Sequence, residues 1–321
     1  METITNVIDH SLNINNYLNK NSCFVDIETT GLSRKNNMIY LIGLLYFDFN
    51  RDTWILEQYF ANSMEKEGLL LKEFISNISK FDHIITYNGN SFDLPFIDNR
   101  LSYHNIKYSI DKSKSFDLYQ IIKQNKIYLN LENLKLKTIE ESLGFIREDK
   151  YSGYDCIGFY YDYIRSKDPI LKIDILKHNY DDLVHMLDIM IILDVLDGKK
   201  SFNLGSNKFT IENIDIIGDI LRLSGIIKIP LKKDIKFYGN SYDIFTNNLD
   251  RFTFSMEFKE GYITKEDKCI YIDLLDFPTI SIKDNSGYNL PPNIFVLLIE
   301  KDYCMDNIKT LLTNIFNDIF I

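Results

Sequence analysis

Residues 23–60 read CFVDIETTGLSRKNNMIYLIGLLYFDFNRDTWILEQYF. Three stretches within them, 23–28, 38–48 and 53–60, are rich in β-branched and aromatic residues and are strand-length. Turn-rich pieces separate them, Gly31–Asn37 and then Asn50–Asp52. Three consecutive strands with short connections predict an antiparallel meander. Downstream, Leu69, Leu70, Phe74 and Ile75 recur at helical spacing within Glu65–Ile78. A short strand is expected at His83–Tyr87, then a helix beginning near Ser91–Asp93, where Pro95 is tolerated only in the first turn. A β-β-β-α-β-α order belongs to the α/β class: a mixed sheet, antiparallel meander plus parallel strands, flanked by helices.

From Leu131 the pattern is helical: Leu134–Leu143 ending at Gly144, Ile157–Arg165, and one long helix from Pro169 to Leu196. Gly144 and Gly198 stand where helix stops place glycine. The stretch 198–209, GKKSFNLGSNKF, marks a domain boundary, giving domains 1–198 and 199–321. The second domain reads as a smaller α+β piece. It is expected to hold a helix over Ile211–Leu223 that stops at Gly225, and a half-buried strand on which Phe252, Phe254, Met256 and Phe258 alternate with Thr253, Ser255 and Glu257. Further strands are expected at Cys269–Leu275 and Ile294–Ile299. Ile308, Leu311, Leu312, Ile315, Phe316 and Ile319 mark the apolar face of a closing helix that packs on the small sheet.

The 321 residues, 45% hydrophobic and 26% charged, suit two globular domains with buried cores. A net charge of −10 rules out a generally basic protein that coats nucleic acid. It leaves room for an enzyme whose acidity is gathered in a metal site. Cys23, Cys156, Cys269 and Cys304 are far apart with no CxxC pair, which fits reduced thiols in a cytoplasmic protein better than a disulfide framework or a zinc site. The opening METITNVIDHSLNINNY has no basic region followed by an apolar run, so no signal peptide is expected. No apolar run is long enough for a bilayer.

Three segments carry chemistry. In Val25-Asp26-Ile27-Glu28-Thr29-Thr30-Gly31, strand alternation projects Asp26 and Glu28 from one side. Such a pair is either a solvated outer face or, on a central strand, two carboxylates that need protons or a cation such as Mg²⁺. In Tyr87-Asn88-Gly89-Asn90-Ser91-Phe92-Asp93-Leu94-Pro95-Phe96, a strand passes through a tight turn into a helix, a place where α/β sheets carry sites. Asp93 in the first helical turn could equally do no more than complement the helix dipole. In His178-Asn179-Tyr180-Asp181-Asp182-Leu183, His178 and Asp182 are four apart and share a helix face, which by default is a surface ion pair; His185 adds another turn.

Together the three segments resemble the DEDD superfamily of ribonuclease-H-like 3′–5′ exonucleases, and within it the bacterial YprB-type RNase H-like domain. DIETTGL is similar to the first motif, YNGNSFDLPFI to the second, and HNYDDL to the third in its HNxxD form. Leu136-Lys137-Thr138-Ile139-Glu140 with Leu143-Gly144, then Tyr151-Ser152-Gly153 and Tyr160–Tyr163, resemble that branch's intervening segments. The resemblance covers roughly 20–197, and none is found for 199–321. It implies an RNase H-like sheet and four metal-binding carboxylates, Asp26, Glu28, Asp93 and Asp182. It also implies two Mg²⁺ or Mn²⁺ ions and metal-assisted hydrolysis of single-stranded RNA or DNA from the 3′ end. His178 stands four residues before Asp182, whereas better-characterised branches have His five before or Tyr four before. It is expected to be the general base or to orient the water. Thr29, Asn88, Asn90 and Phe92 are placed to contact the terminal nucleotide, Phe92 by stacking or else as a core residue. Leu32 is a similar candidate.

The same fold could also serve as a nucleic-acid-binding or regulatory module without hydrolysis, or as an endonuclease on structured RNA. The 199–321 domain is expected to position substrate or partner. Its basic run Lys228, Lys232, Lys233 and Lys236 either touches phosphates or lies on a solvated edge.

Overall fold

The structure is a computed structural model that describes residues 1–12, 17, 21–129, 131–146, 151–239 and 241–320. The chain forms two compact units, residues 1–124 with 131–192, and residues 125–130 with 193–321.

The first unit contains strands β1 (Glu2–Ile8), β2 (Ser22–Thr29), β3 (Ile39–Asp48) and β4 (Thr53–Phe60), helix α1 (Glu67–Ile78) and strand β5 (His83–Thr86). Helix α2 (Asp93–Tyr103), strand β6 (Ser115–Asp117) and helices α3 (Leu118–Gln124), α4 (Leu136–Ser142), α5 (Gly153–Ser166) and α6 (Pro169–Asp188) follow. The sheet order is β1-β4-β3-β2-β5-β6. The meander is antiparallel, and β5 and β6 add in parallel beside β2. The expected mixed α/β sheet is therefore present, extended by β1 antiparallel to β4 and by β6, neither of which the sequence reading includes. β2 lies between β3 and β5, and its residues are buried except for a half-buried Asp26.

Burial of β2 follows from helices α5 and α6 packing on it. Tyr160 of α5 stacks on Tyr40 of β3 with ring centroids 4.1 Å apart, and its hydroxyl donates to the Ala61 carbonyl oxygen at 2.9 Å. α6 comes closest at Gly43, where any Cβ would be 2.2 Å from Leu183 Cδ1 and 2.4 Å from Asn179 Oδ1. Only glycine admits the helix there. Behind the sheet, buried Glu67 accepts from the Ile39 N–H (2.7 Å) and from Arg100 Nε and a terminal guanidinium nitrogen (2.8 and 2.6 Å). This tie fixes the start of β3 to α1 and α2.

The expected single helix from Pro169 to Leu196 is interrupted. α6 ends at Asp188, a 3₁₀ turn spans Ile189–Ile191, and α7 (Ile192–Lys200) carries Gly198 inside it rather than at its stop. Gly144, by contrast, has φ +88° just after α4, as a helix terminator should.

The second unit holds a six-stranded antiparallel sheet of β7 (Ser201–Leu204), β8 (Asn207–Ile217), β9 (Ile220–Ile227), β10 (Lys236–Tyr238), β11 (Tyr242–Asn247) and β12 (Arg251–Glu257). Their order is β10-β11-β12-β9-β8-β7. A four-stranded sheet of β13 (Lys259–Tyr262), β14 (Lys268–Asp273), β15 (Ile294–Ile299) and β16 (Asp302–Tyr303) follows, then α8 (Met305–Phe320). The helix expected over Ile211–Leu223 is instead a hairpin of β8 and β9, turning at Gly218 with φ +63°. A bulge between Ile211 and Asn213 puts buried Ile211 and Ile214 three residues apart, a spacing that imitates a helix. Gly225, expected as a helix stop, lies inside β9, where a Cβ would come within 2.0 Å of the Thr210 carbonyl oxygen. The strands expected around 252–258, 269–275 and 294–299 fall into two sheets rather than one, and the closing helix contacts both. Phe316 packs against Phe202, Phe209, Phe252 and Phe254 of the six-stranded sheet, and α8 also meets β15 of the four-stranded one.

Candidate active site

β2 delivers Asp26 and Glu28 from one side of the sheet, α2 delivers Asp93 in its first turn, and α6 delivers His178 and Asp182 on one face. Glu28, Asp93 and His178 are each more than nine-tenths buried. His178 Nε2 is 3.6 Å from Glu28 Oε1 and 3.7 Å from Asp182 Oδ2, ion-pair distances rather than hydrogen bonds. One donor atom each from Glu28, His178 and Asp182 lies within 4.8 Å of the others.

Asp26 and Asp93 are tied differently. Asp93 Oδ1 accepts the Ile27 N–H at 3.2 Å, which joins the start of α2 to β2 between the two strand carboxylates. Asp26 Oδ2 accepts from Asn179 Nδ2 at 2.8 Å. All four carboxylates nevertheless feel one another. Burial, and then Asp182, Asp93 and Glu28, push the Asp26 carboxyl well above the ordinary range, against the Asn179 hydrogen bond. Burial raises Glu28 to about 8, opposed by His178 and reinforced by Asp182 and Asp93. Burial raises Asp93 to about 7, opposed by backbone N–H groups and reinforced by Asp117 and Asp182. Three oxygen donors, Asp26, Glu28 and Asp93, that resist ionisation beside a fourth carboxylate are a donor set a hard divalent cation satisfies, so these residues fit such an ion.

The turn after β5 is built by a residue the sequence reading leaves out. Buried Asp117, at the end of β6, accepts the N–H of Asn88 (2.8 Å) and of Asn90 (3.0 Å). Asn88 is held at φ +65°, and Gly89 is packed so close that a Cβ would be 2.4 Å from the Thr86 side chain. Only the three-residue strand that ends at Asp117 hints at this role in sequence, and it is too short to read.

The proposed nucleotide contacts fall into different surroundings. Asn90 is exposed, and its Oδ1 accepts from the Ser115 hydroxyl at 2.7 Å. Phe92 is half-buried against the core and pairs with Phe96 at 5.4 Å between centroids. The Thr29 hydroxyl is buried and donates to the Gly31 carbonyl oxygen at 2.9 Å. Leu32 is exposed. His185 Nδ1 bonds Asp188 at 2.8 Å, and Asp188 also bonds His10 at 3.0 Å. Asp181 pairs with Lys177 at 2.7 Å. The N-terminus of α5 borders the site, since a Cβ on Gly153 would be 3.8 Å from His178 Nε2.

Among the described residues no helix is long and apolar enough to cross a membrane. None of the four cysteines is in a disulfide.

The chain is 27% identical over 188 residues to the uncharacterized protein YprB of Bacillus subtilis (strain 168), a match covering 57% of this chain and 44% of that protein. The chain thus spans less than half the length of this relative. Among solved structures it is similar to the family B DNA polymerase of the archaeon Pyrobaculum calidifontis, at 14% identity and a TM-score of 0.41, over 54% of this chain and 24% of that one. The model of the RNase H superfamily matches residues 23–194, more than half of the chain and the whole stretch that carries Asp26, Glu28, Asp93, His178 and Asp182. By that match the chain belongs to the RNase H superfamily.

Proposed function

We propose that this chain is a metal-dependent 3′–5′ exonuclease that hydrolyses phosphodiester bonds in single-stranded RNA or DNA in the cytoplasm. One observation carries the reading: Glu28, His178 and Asp182 bring donor atoms within 4.8 Å of one another beside Asp26 and Asp93, and burial and like charge hold Asp26, Glu28 and Asp93 above their ordinary ionisation range. An apolar sheet centre gains nothing in stability from such a cluster, so its presence favours a ligand of opposite charge.

Asp26, Glu28, Asp93 and Asp182 are the residues that would hold two Mg²⁺ or Mn²⁺ ions. Bound there, the ions would offset the acidic charge, ease deprotonation of a water and stabilise charge on the attacking and leaving oxygens. His178 takes the proton of the attacking water at Nε2. The resulting imidazolium faces Glu28 and Asp182 at 3.6 and 3.7 Å, an arrangement that favours the charged ring. Asn88, Asn90 and Phe92 form the wall on which the terminal nucleotide rests, with the exposed part of the Phe92 ring available for stacking. Thr29, whose hydroxyl donates to the Gly31 carbonyl oxygen at the end of β2, is a further contact for the terminal nucleotide.

The test is incubation of 5′-labelled single strands of RNA and DNA with Mg²⁺ or Mn²⁺ beside an Asp182→Ala control. A metal-dependent ladder shrinking from the 3′ end, absent in the control, supports the proposal and names the substrate. Metal binding without cleavage of either strand defeats it and favours a binding module. Cleavage of a circular strand defeats the exonuclease and favours an endonuclease.

A further inference from the structure

A row of three directly paired residues crosses the sheet beside the acidic cluster. Asp26 on β2 is paired with Gly43 on β3, and Gly43 with Gln58 on β4. Directly paired residues share a face, so Asp26 and Gln58 flank a slot that Gly43 leaves empty. Asn179 of α6 fills that slot and is completely buried. Gln58 is likewise buried, and its Nε2 donates both to the Leu176 carbonyl oxygen (2.8 Å) and to Asn179 Oδ1 (2.9 Å).

The backbone carbonyl settles which way both amides point. Leu176 O can only accept, so the Gln58 atom beside it is the nitrogen. That same nitrogen faces Asn179, so the facing Asn179 atom is its oxygen. Asn179 Nδ2 is left to donate to Asp26 Oδ2 at 2.8 Å. One carboxylate oxygen of Asp26 is thereby held by a buried hydrogen-bond chain that starts at the helix backbone.

We propose that Asn179, lodged in the Gly43 slot, and Gln58 beside it are positioning residues that fix the Asp26 carboxylate so that its other oxygen is presented to a divalent cation. This inference rests on the metal-dependent reading of the site and names which residues outside the acidic set tune it. The direction of donation matters. An acceptor in place of Nδ2 would repel the carboxylate, and an apolar group would leave it free to rotate. Supporting hydrogen bonds of this kind typically change metal affinity or activity about 10–100-fold when removed.

The experiment measures Mn²⁺ binding to the full chain by electron paramagnetic resonance, together with kcat and KM on a single-stranded oligonucleotide. The proteins are wild type, Asn179→Leu, Gln58→Met and Asp26→Ala. Gln58→Met keeps nearly the same volume, so it stays informative should Asn179→Leu fail to fold. The expected result is weaker Mn²⁺ binding in both relay variants, about 10–100-fold, with kcat reduced to match. KM for the oligonucleotide stays near wild type, and Mn²⁺ affinity falls even at temperatures where both variants remain fully folded, which the loss of metal-free Tm expected from breaking buried hydrogen bonds would not by itself produce. Wild-type Mn²⁺ affinity and kcat in both relay variants would overturn the relay while leaving the metal site intact. Wild type that binds no Mn²⁺ would overturn the metal-dependent reading, and the relay with it. Undiminished binding in Asp26→Ala would remove Asp26 from the ligand set and the relay's purpose with it.

Discussion

Replacing Glu28 by Gln should stabilise the metal-free protein at alkaline pH while destroying its activity. Glu28 has a folded-state pKa of about 8 against an ordinary 4.5, with burial as the main cause. Below about pH 4.5 the group is protonated whether folded or unfolded and costs nothing. Between 4.5 and 8 the unfolded chain releases the proton and the folded chain keeps it, so stability falls with rising pH. Above 8 the loss is complete. At about 1.4 kcal/mol per pH unit it approaches about 5 kcal/mol, an upper figure because Glu28 shares its charge environment with Asp26, Asp93 and Asp182. Gln keeps the shape and can still accept from the Tyr40 hydroxyl, which is 3.5 Å from Glu28 Oε2. The assay is thermal unfolding in chelator from pH 4.5 to 8.5, followed by a signal of the first unit. At about 2–4 °C per kcal/mol, the Glu28→Gln protein stands up to roughly 10–20 °C above wild type at pH 8.5 and level with it at pH 4.5. Adding Mn²⁺ should raise the wild-type Tm at pH 8 and narrow the difference. A Glu28→Gln protein no more stable than wild type at pH 8.5, or a difference independent of pH, would refute the account of the cluster as ionisable groups held against their charge.

Asp182→Ala should lower kcat by at least about 10³-fold with little loss of Tm, since this residue is partly exposed, as single-turnover cleavage would show. Gly43→Ala drives a Cβ into Leu183 and Asn179. It is expected to cost about 1–3 kcal/mol in denaturant unfolding and to weaken Mn²⁺ binding as well. Arg100→Leu strips buried Glu67 of its guanidinium partner and should destabilise the first unit by about 3–5 kcal/mol, read from the urea midpoint. Replacing Lys228, Lys232, Lys233 and Lys236 together by Gln, all four being exposed, tests the substrate-positioning role proposed for residues 199–321. KM for a long strand should rise about tenfold with a flatter salt dependence, while a dinucleotide is cleaved as before.

Much of the first unit can be read from sequence because each of its signals is local. Strand alternation alone puts Asp26 and Glu28 on one side, and a four-residue step alone puts His178 and Asp182 on one helix face. What sequence does not reveal are contacts made across the sheet. Gln58, Gly43 and Asn179 meet because of strand register, and nothing in LEQYF or LIGLL announces which residues of β3 and β4 stand opposite Asp26. Asp117 is missed for a related reason: its three-residue strand is recognisable only once β5 pairs with it. β1 alternates half-buried and exposed residues up to a buried Ile8, and its sequence ETITNVI is too polar to stand out as a strand without β4 beside it.

The second unit shows how a local signal misleads. Ile211 and Ile214 are spaced as on a helix, and Gly225 stands where a helix would stop, yet both features belong to a bulged hairpin. Periodicity reports only which residues are buried together, and a bulge moves one strand position to the other face, so a strand and a helix converge on the same spacing. The tie is broken by chemistry that periodicity ignores. Gly225 is required because its neighbour is the Thr210 carbonyl oxygen at 2.0 Å from any Cβ, a cross-strand constraint with no helical counterpart. Gly43 in the first unit obeys the same logic, and there the excluded side chain makes room for Asn179. In both sheets a glycine inside a strand marks the closest approach of a neighbouring element. In the first that element is α6, which brings His178, Asn179 and Asp182 onto the strand acids.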